Sequence, residues 1–277
     1  MMPSEGDLPL GSRRLVLITG ASGGIGEAFA HVVAEDNCDL ILVARNENEL
    51  NRVRGLIAAK FVKRQIGVVG TDLSQPEAGA KLVEELKERQ LLPDVLINNA
   101  GCGIYGRTAE LPYDQQIGVV DLNVRALTDL TLRLLPAIVA RKSGGVINVA
   151  STAAFMPGPY MSLYYASKAY VLSFSEALAA ELEGTGVTVT ALCPGPVATG
   201  FQERAQMQDL KFLRFLSSLS PYEVALAGWE GFKQHRRVVL PGMLNRASAY
   251  AGRYMPRWFL LPVMRFLQSP PALKRER

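Results

Sequence analysis

Residues 14–26 read RLVLITGASGGIG. Positions 14–19 form a short run that is almost wholly apolar, as a strand buried on both faces requires. The run stops at Gly20. Ala21, Ser22, Gly23, Gly24, Ile25 and Gly26 follow, small apart from Ile25, and a helical pattern starts at once. A turn of such small residues lets the backbone fold tightly and approach a phosphate, and the helix it opens offers free N–H groups to an anion. Taken alone, positions 20–26 also read as an ordinary strand-to-helix turn. The rest of the chain decides between the two.

Further apolar, β-rich runs occur at 40–44, 67–70, 95–97, 146–149, 187–192 and, more weakly, 237–240. Helical patterns lie between them at 24–35, 47–59, 76–89, 113–141, 162–183 and 221–233. Strand-helix alternation of this length predicts an α/β fold with a doubly wound parallel sheet of about seven strands, of Rossmann type. No linker or repeat interrupts it. The expected organisation is one domain, with a core at 14–242 and an apolar extension at 243–277.

Composition narrows the function classes. Of 277 residues, 48% are hydrophobic and 20% charged, enough for a large core and against disorder. The net charge of +4 is mild. No basic run with interleaved aromatics appears, so no nucleic-acid partner is expected. Three cysteines, Cys38, Cys102 and Cys193, and two histidines, His31 and His235, have no metal-ligand spacing. No metal is expected, and the odd cysteine count points to a reducing, cytoplasmic setting. Residues 1–14 lack the apolar stretch of a signal peptide.

Candidate ligand residues gather where strands end. Arg45 follows the second strand, 19 residues after Gly26. An acid there would bond a ribose 2′-hydroxyl, whereas an arginine can pair with a 2′-phosphate through its fork of donors. That favours NADP(H) over NAD; Arg52 and Arg54 stand near enough in sequence to assist or to be solvated. Asp72 and Leu73 follow the third strand, where the aspartate suits an adenine amino group; as an alternative, Ser74 caps a helix and Asp72 is a loop residue. Asn98, Asn99, Ala100 and Gly101 follow the fourth strand and suit a tight turn beside a ligand.

Tyr164 and Lys168 are four apart in a helical segment and share one face. A nearby ammonium lowers a phenol pKa, so such a tyrosine can exchange a proton with a forming alkoxide. Ser151 ends the fifth strand and can hold a substrate oxygen. No histidine is placed to make that serine a hydrolase nucleophile.

In this order, the motifs resemble the classical short-chain dehydrogenase/reductase family over 14–242. Thr19-Gly20, Gly24 and Gly26 match its cofactor turn, Asn98-Asn99-Ala100-Gly101 its second signature, and Tyr164 and Lys168 its active-site motif. The resemblance implies Tyr164 as acid/base, Lys168 lowering its pKa and bonding the nicotinamide ribose, Ser151 on the substrate oxygen, and Asn123 ordering a water beside Lys168. It also implies Pro194, Gly195 and Val197 beside the nicotinamide, Thr199 near its carboxamide, and a homodimer or homotetramer built on the helices at 113–141 and 162–183. One departure is Gly23, where many NADP-preferring relatives carry a basic residue. Arg45 must then do most of the phosphate recognition.

Gly103, Tyr105, Phe155 and Met156 are expected to border the substrate; they carry no charge, which favours an apolar carbonyl or alcohol. The extension is rich in Trp258, Phe259, Leu260, Leu261, Val263, Met264, Phe266 and Leu267, with Arg253, Arg257 and Arg265 between them. Pro256 and Pro262 are expected to break it into short pieces. It is too short and charged to span a bilayer; it covers the pocket, packs at an interface or touches a membrane. The functional expectation is hydride transfer between NADP(H) and an apolar carbonyl or secondary alcohol. The alternative is an NADP(H)-binding sensor or scaffold that has kept the fold without the chemistry.

Overall fold

A computed structural model describes residues 13–200 and 219–269. Seven parallel strands form one sheet in the order β3-β2-β1-β4-β5-β6-β7. They are β1 (Leu15–Thr19), β2 (Asp39–Ala44), β3 (Ile66–Gly70), β4 (Val95–Asn98), β5 (Gly145–Val149), β6 (Thr188–Leu192) and the two-residue β7 (Val238–Val239). The strand order reverses between β1 and β4, the position at which open α/β sheets form a ligand crevice.

The helices are α1 (Gly24–Glu35), α2 (Glu47–Lys60), α3 (Ala78–Glu88), α4 (Tyr113–Val120), α5 (Leu127–Arg141), α6 (Ser162–Glu181), α7 (Pro221–Lys233), α8 (Met243–Tyr254) and α9 (Arg257–Gln268). Alternation along the strands splits the core in two. Val16, Ile18, Leu40, Leu42 and Ile97 pack on one face with Phe29 of α1, Leu50 of α2 and Trp229 of α7. Leu15, Leu17, Ile41, Val43 and Leu96 pack on the other with Leu82 of α3 and Leu134 of α5. Trp229 is fully buried, and its indole N–H is satisfied by the Asp36 carboxylate at 2.7 Å.

One expectation is refined and another corrected. The segment 113–141 is helical throughout, as expected, but not uniformly α: Asp121–Ala126 forms a π-helical turn between α4 and α5. Such turns concentrate at functional sites because they widen the backbone spacing, and this one carries Asn123. Pro262 does not break the extension; it lies inside α9. Only the bond to the Trp258 carbonyl is forfeited, and both residues are exposed, so water can replace it. Pro256 does separate α8 from α9, as the residue preceding α9.

Candidate active site

The glycine turn is held to the β4 turn by one hydroxyl and one amide. Thr19 Oγ1 accepts from the Asn99 and Ala100 backbone N–H groups, both at 3.0 Å. Asn99 Nδ2 donates to the Thr19 and Gly20 carbonyls at 2.9 and 3.1 Å. Asn99 is therefore a staple between the two turns. Gly20 has φ of 66° and Gly24 of 58°, values that favour glycine. A Cβ on Gly26 would collide with the Gly20 carbonyl and the Asn99 amide.

Gly23 precedes α1 and offers no side chain to its N-terminal N–H groups. Uncapped N–H groups at a helix start, here just after Ser22 and around Ile25, are suited to an anion. The missing basic residue at Gly23 is not excluded by crowding, since a Cβ there would meet nothing within 4 Å. This cradle fits a pyrophosphate. Leu73 and Ala100 line a small cavity at the β1/β4 reversal with Thr19, Asn98 and Leu122.

Arg45 follows β2 and is exposed. Arg52 is otherwise engaged, bonding the Glu27 carboxylate at 2.8 Å and Glu49 at 2.7 Å. Asp72 Oδ1 accepts from the Ser74 backbone N–H at 3.0 Å and from the Ser74 hydroxyl at 2.7 Å. Ser74 thus closes a turn on Asp72 and does not cap α3, which begins at Ala78.

At the other end of the crevice, Ser151, Tyr164, Lys168 and Asn123 come together. Ser151 leaves β5 and its Oγ accepts from the Ala153 N–H at 3.1 Å. Its hydroxyl also stands close enough to Tyr164 to pull the phenol pKa down. Lys168 is 6% exposed, lies 5.9 Å from the Tyr164 ring centre and donates to the Val149 carbonyl at 2.7 Å. Asn123 donates through Nδ2 to Cys102 O at 2.9 Å and to the Ser167 hydroxyl at 3.0 Å, and its Oδ1 accepts from Cys102 N at 2.9 Å. A Cβ on Gly101 would sit 3.2 Å from Asn123 Oδ1 and 3.5 Å from Lys168 Nζ, so the second signature borders the lysine directly.

The electrostatics differ from the simple expectation that the lysine depresses the tyrosine. Desolvation pushes the Tyr164 phenol above its usual value, and the opposing pull comes from the Ser151 hydroxyl. Lys168 is itself brought down to about 8 by burial. In a low-dielectric pocket the cost of charge falls on both partners. The Cys102 thiol is raised by burial while Lys168 and Arg45 pull it down, which places it between the catalytic and cofactor ends.

The segment after β6 also folds back onto the site. The Pro194 carbonyl accepts from Thr152 N at 2.8 Å and from the Ser151 hydroxyl at 3.4 Å. Val197 is buried in the core, and the side chain of Thr199 lies 3.2 Å from where a Cβ of Gly24 would stand. Gly195 packs so closely on Asn245 of α8 that a Cβ would overlap that side chain.

Of the residues expected at the substrate, Tyr105 donates through its hydroxyl to the Gln268 carbonyl at 2.6 Å. Phe155 packs with Leu127, Val171, Leu172 and Ala249. Met156 lies against Gly252 of α8. Gly103 is partly exposed in the loop after Gly101. The extension thus covers the loops expected to border substrate. The sequence did not single out Tyr165, Asn245 or Gln268. Gln268 is 2% exposed, its Nε2 donates to the Tyr165 hydroxyl, and its Oε1 is buried without a hydrogen-bond partner among the described residues.

A parallel doubly wound sheet with a glycine cradle at one end of its crevice and a serine-tyrosine-lysine cluster at the other defines a nicotinamide-dependent oxidoreductase scaffold. The family model for short chain dehydrogenases matches residues 14–209, and the chain belongs to that family. It is 39% identical over 187 residues to a short chain dehydrogenase of Pseudocercospora fijiensis, a match covering 66% of this chain and 60% of that protein. It is similar in structure to a short-chain dehydrogenase from Sphingobium yanoikuyae in complex with NADPH, with 30% identity and a TM-score of 0.77, covering 93% of this chain and 99% of that one. A short chain dehydrogenase/reductase from Burkholderia phymatum in complex with NAD has 25% identity and the same TM-score of 0.77, covering 88% and 94%.

Proposed function

We propose that the protein is an NADP(H)-dependent oxidoreductase acting on the carbonyl or secondary alcohol of an apolar substrate. The observation that carries this reading is the meeting of three side chains, the Lys168 ammonium over the Tyr164 ring and the Ser151 hydroxyl acting on the Tyr164 phenol. The nicotinamide, when bound, supplies or accepts the hydride.

The protein's own work is proton handling and orientation. Ser151 holds the substrate oxygen within reach of Tyr164. Tyr164 gives that oxygen a proton in reduction and takes it back in oxidation. Lys168 stabilises negative charge as it develops at the phenol. The Asn123 side chain is committed to Cys102 and Ser167, so a water held there for proton exchange uses the Asn123 backbone carbonyl or the remaining lone pair of Oδ1.

Arg45 carries the NADP(H) preference, by its place after β2 and its exposure. The uncharged Gly103, Tyr105, Phe155 and Met156 support an apolar substrate. The chain acts as one domain, with 14–242 as its core and 243–277 as an extension; any lipid contact rests on that extension and not on the catalytic centre. Tyr113, Ile117, Leu132 and Tyr170 are exposed on α4, α5 and α6 and support a homodimer or homotetramer through those helices. Three free cysteines suit the reducing cytoplasm.

The test is NADPH and NADH binding to wild type and Arg45→Asp. NADPH preference that is lost in the variant supports the reading. Equal binding of both by wild type removes the role of Arg45, and no binding of either removes the enzyme. A sensor without chemistry would have no use for Ser151, Tyr164 and Lys168 gathered in one place.

A further inference from the structure

Helices α8 and α9 touch the rest of the protein along narrow stripes. In α9 only Leu260, Met264 and Gln268 are buried, each four residues from the next. This stripe holds α9 to Tyr165 and Tyr105. The remaining surface of the helix is exposed and largely apolar: Trp258 is 79% exposed, Phe266 66%, Phe259 46% and Leu261 42%. On α8, Met243, Tyr250 and Tyr254 extend it, Tyr254 being 74% exposed. A helix apolar almost all round normally has cover on both sides, and an apolar patch of this extent marks an interaction surface.

Its charge identifies the cover. Residues 243–269 contain four arginines, Arg246, Arg253, Arg257 and Arg265, all exposed, and no aspartate or glutamate. Among the described residues none of the four forms an ion pair with a carboxylate. The stacked Tyr250 and Tyr254 and the neighbouring Trp258 are ring systems with a polar tip, the residue types that settle at a membrane-water boundary. We propose that the outer face of α8 and α9 docks on an anionic phospholipid bilayer, with the aromatic side chains among the headgroups and the arginines paired to lipid phosphates. A second copy of the chain is a poorer occupant, because a twofold contact would press this wholly basic face against itself. With α9 seated between bilayer and catalytic loops, an apolar substrate arrives from the lipid phase. That last consequence rests on the proposed oxidoreductase reading; the docking does not.

The experiment is co-sedimentation of the full chain with vesicles of phosphatidylcholine alone and of phosphatidylcholine with phosphatidylglycerol, read together with tryptophan emission. The chain has two tryptophans, and Trp229 is 1% exposed, so a blue shift on vesicles reports Trp258. The expected result is binding and a blue shift on anionic vesicles, weakened at least about tenfold on neutral ones and in Arg253→Glu/Arg257→Glu. Tyr254→Ser/Trp258→Ser is expected to lose binding as well. NADPH binding, measured separately, shows whether each variant has kept its fold and whether the enzyme reading stands. Absence of sedimentation on anionic vesicles, or binding untouched by both variants that still take up NADPH, overturns the proposal. So does a dimer that these variants dissociate while wild type ignores lipid.

Discussion

Lys168 Nζ donates to the backbone carbonyl of Val149 at 2.7 Å, which ties the lysine of α6 to the last residue of β5. Ser151 leaves that strand two residues later, so strand and helix are locked with serine, tyrosine and lysine in one place. The same burial that makes the lock rigid brings Lys168 down to about 8 and raises Tyr164. The proposed reduction needs the proton on Tyr164 and the charge on Lys168. Lysine therefore loses its proton first as pH rises. The pH profile of kcat/KM for NADPH-driven reduction is expected to be flat below about 8 and to fall about tenfold per unit above it. A profile flat to about pH 10 would remove Lys168 from the controlling role.

The same titration has a consequence for stability. The folded pKa of Lys168, about 8, lies below the ordinary value of 10.5. The unfolded chain then holds the proton more tightly, and the Lys168 contribution to stability grows as pH rises from about 8 towards 10.5. Lys168→Met is expected to lack this rise, so the denaturation midpoint of wild type gains on that of the variant as pH increases over that window. A midpoint difference that does not change with pH over that window counts against it.

Removing the Tyr164 hydroxyl separates chemistry from binding. Tyr164→Phe keeps the ring but loses the acid, and turnover is expected to drop by about 10²–10⁴. NADPH affinity is expected to stay within a few-fold, because the cradle at Gly20–Gly26 does not involve the hydroxyl. Unchanged turnover in this variant would mean that another group carries the proton.

Gly26→Ala probes the staple between the two turns. The added methyl would overlap the Gly20 carbonyl and the Asn99 amide, neither of which can move without parting Thr19 from β4. The expected cost is about 1–3 kcal/mol of stability, with loss of NADPH binding measured by fluorescence titration. Gly23→Ala is the control: nothing lies within 4 Å of its Cβ position, and its stability should match wild type.

The sheet was legible because its strands are apolar runs ended by small residues; what blurred their ends was buried polarity. Asp39 opens β2 although it is charged, because its carboxylate accepts from Gln65 N at 3.0 Å and lies 3.6 Å from Arg13. Asn98 closes β4 because its amide donates to Thr131 and Asn148, both at 2.9 Å. The candidate cofactor and catalytic residues could be picked out because each group is local, a turn or one face of a helix. The π-helical turn at Asp121–Ala126 has no proline or glycine to mark it. The role of Gln268 was hidden for a different reason: its partners Tyr165 and Tyr105 lie 103 and 163 residues away. A polar residue ending an apolar helical stripe was the only local sign.

That distant pair gives a test of how the extension is held. Tyr165→Phe leaves a buried amide without its partner, and Gln268→Leu leaves a buried phenol without its own. Each alone is expected to cost about 1–3 kcal/mol, because an unmatched buried polar group keeps its full desolvation penalty. The double variant replaces both by apolar groups of similar shape and also removes the unpartnered Oε1 of Gln268. Its stability is expected to return close to that of wild type, a coupling measurable as a double-mutant cycle by chemical denaturation. Limited proteolysis should agree, cutting the extension faster in each single variant than in the double. If the two single effects simply add, the two side chains are not coupled, and α9 is held by Leu260, Met264 and the Tyr105 bond to the Gln268 carbonyl.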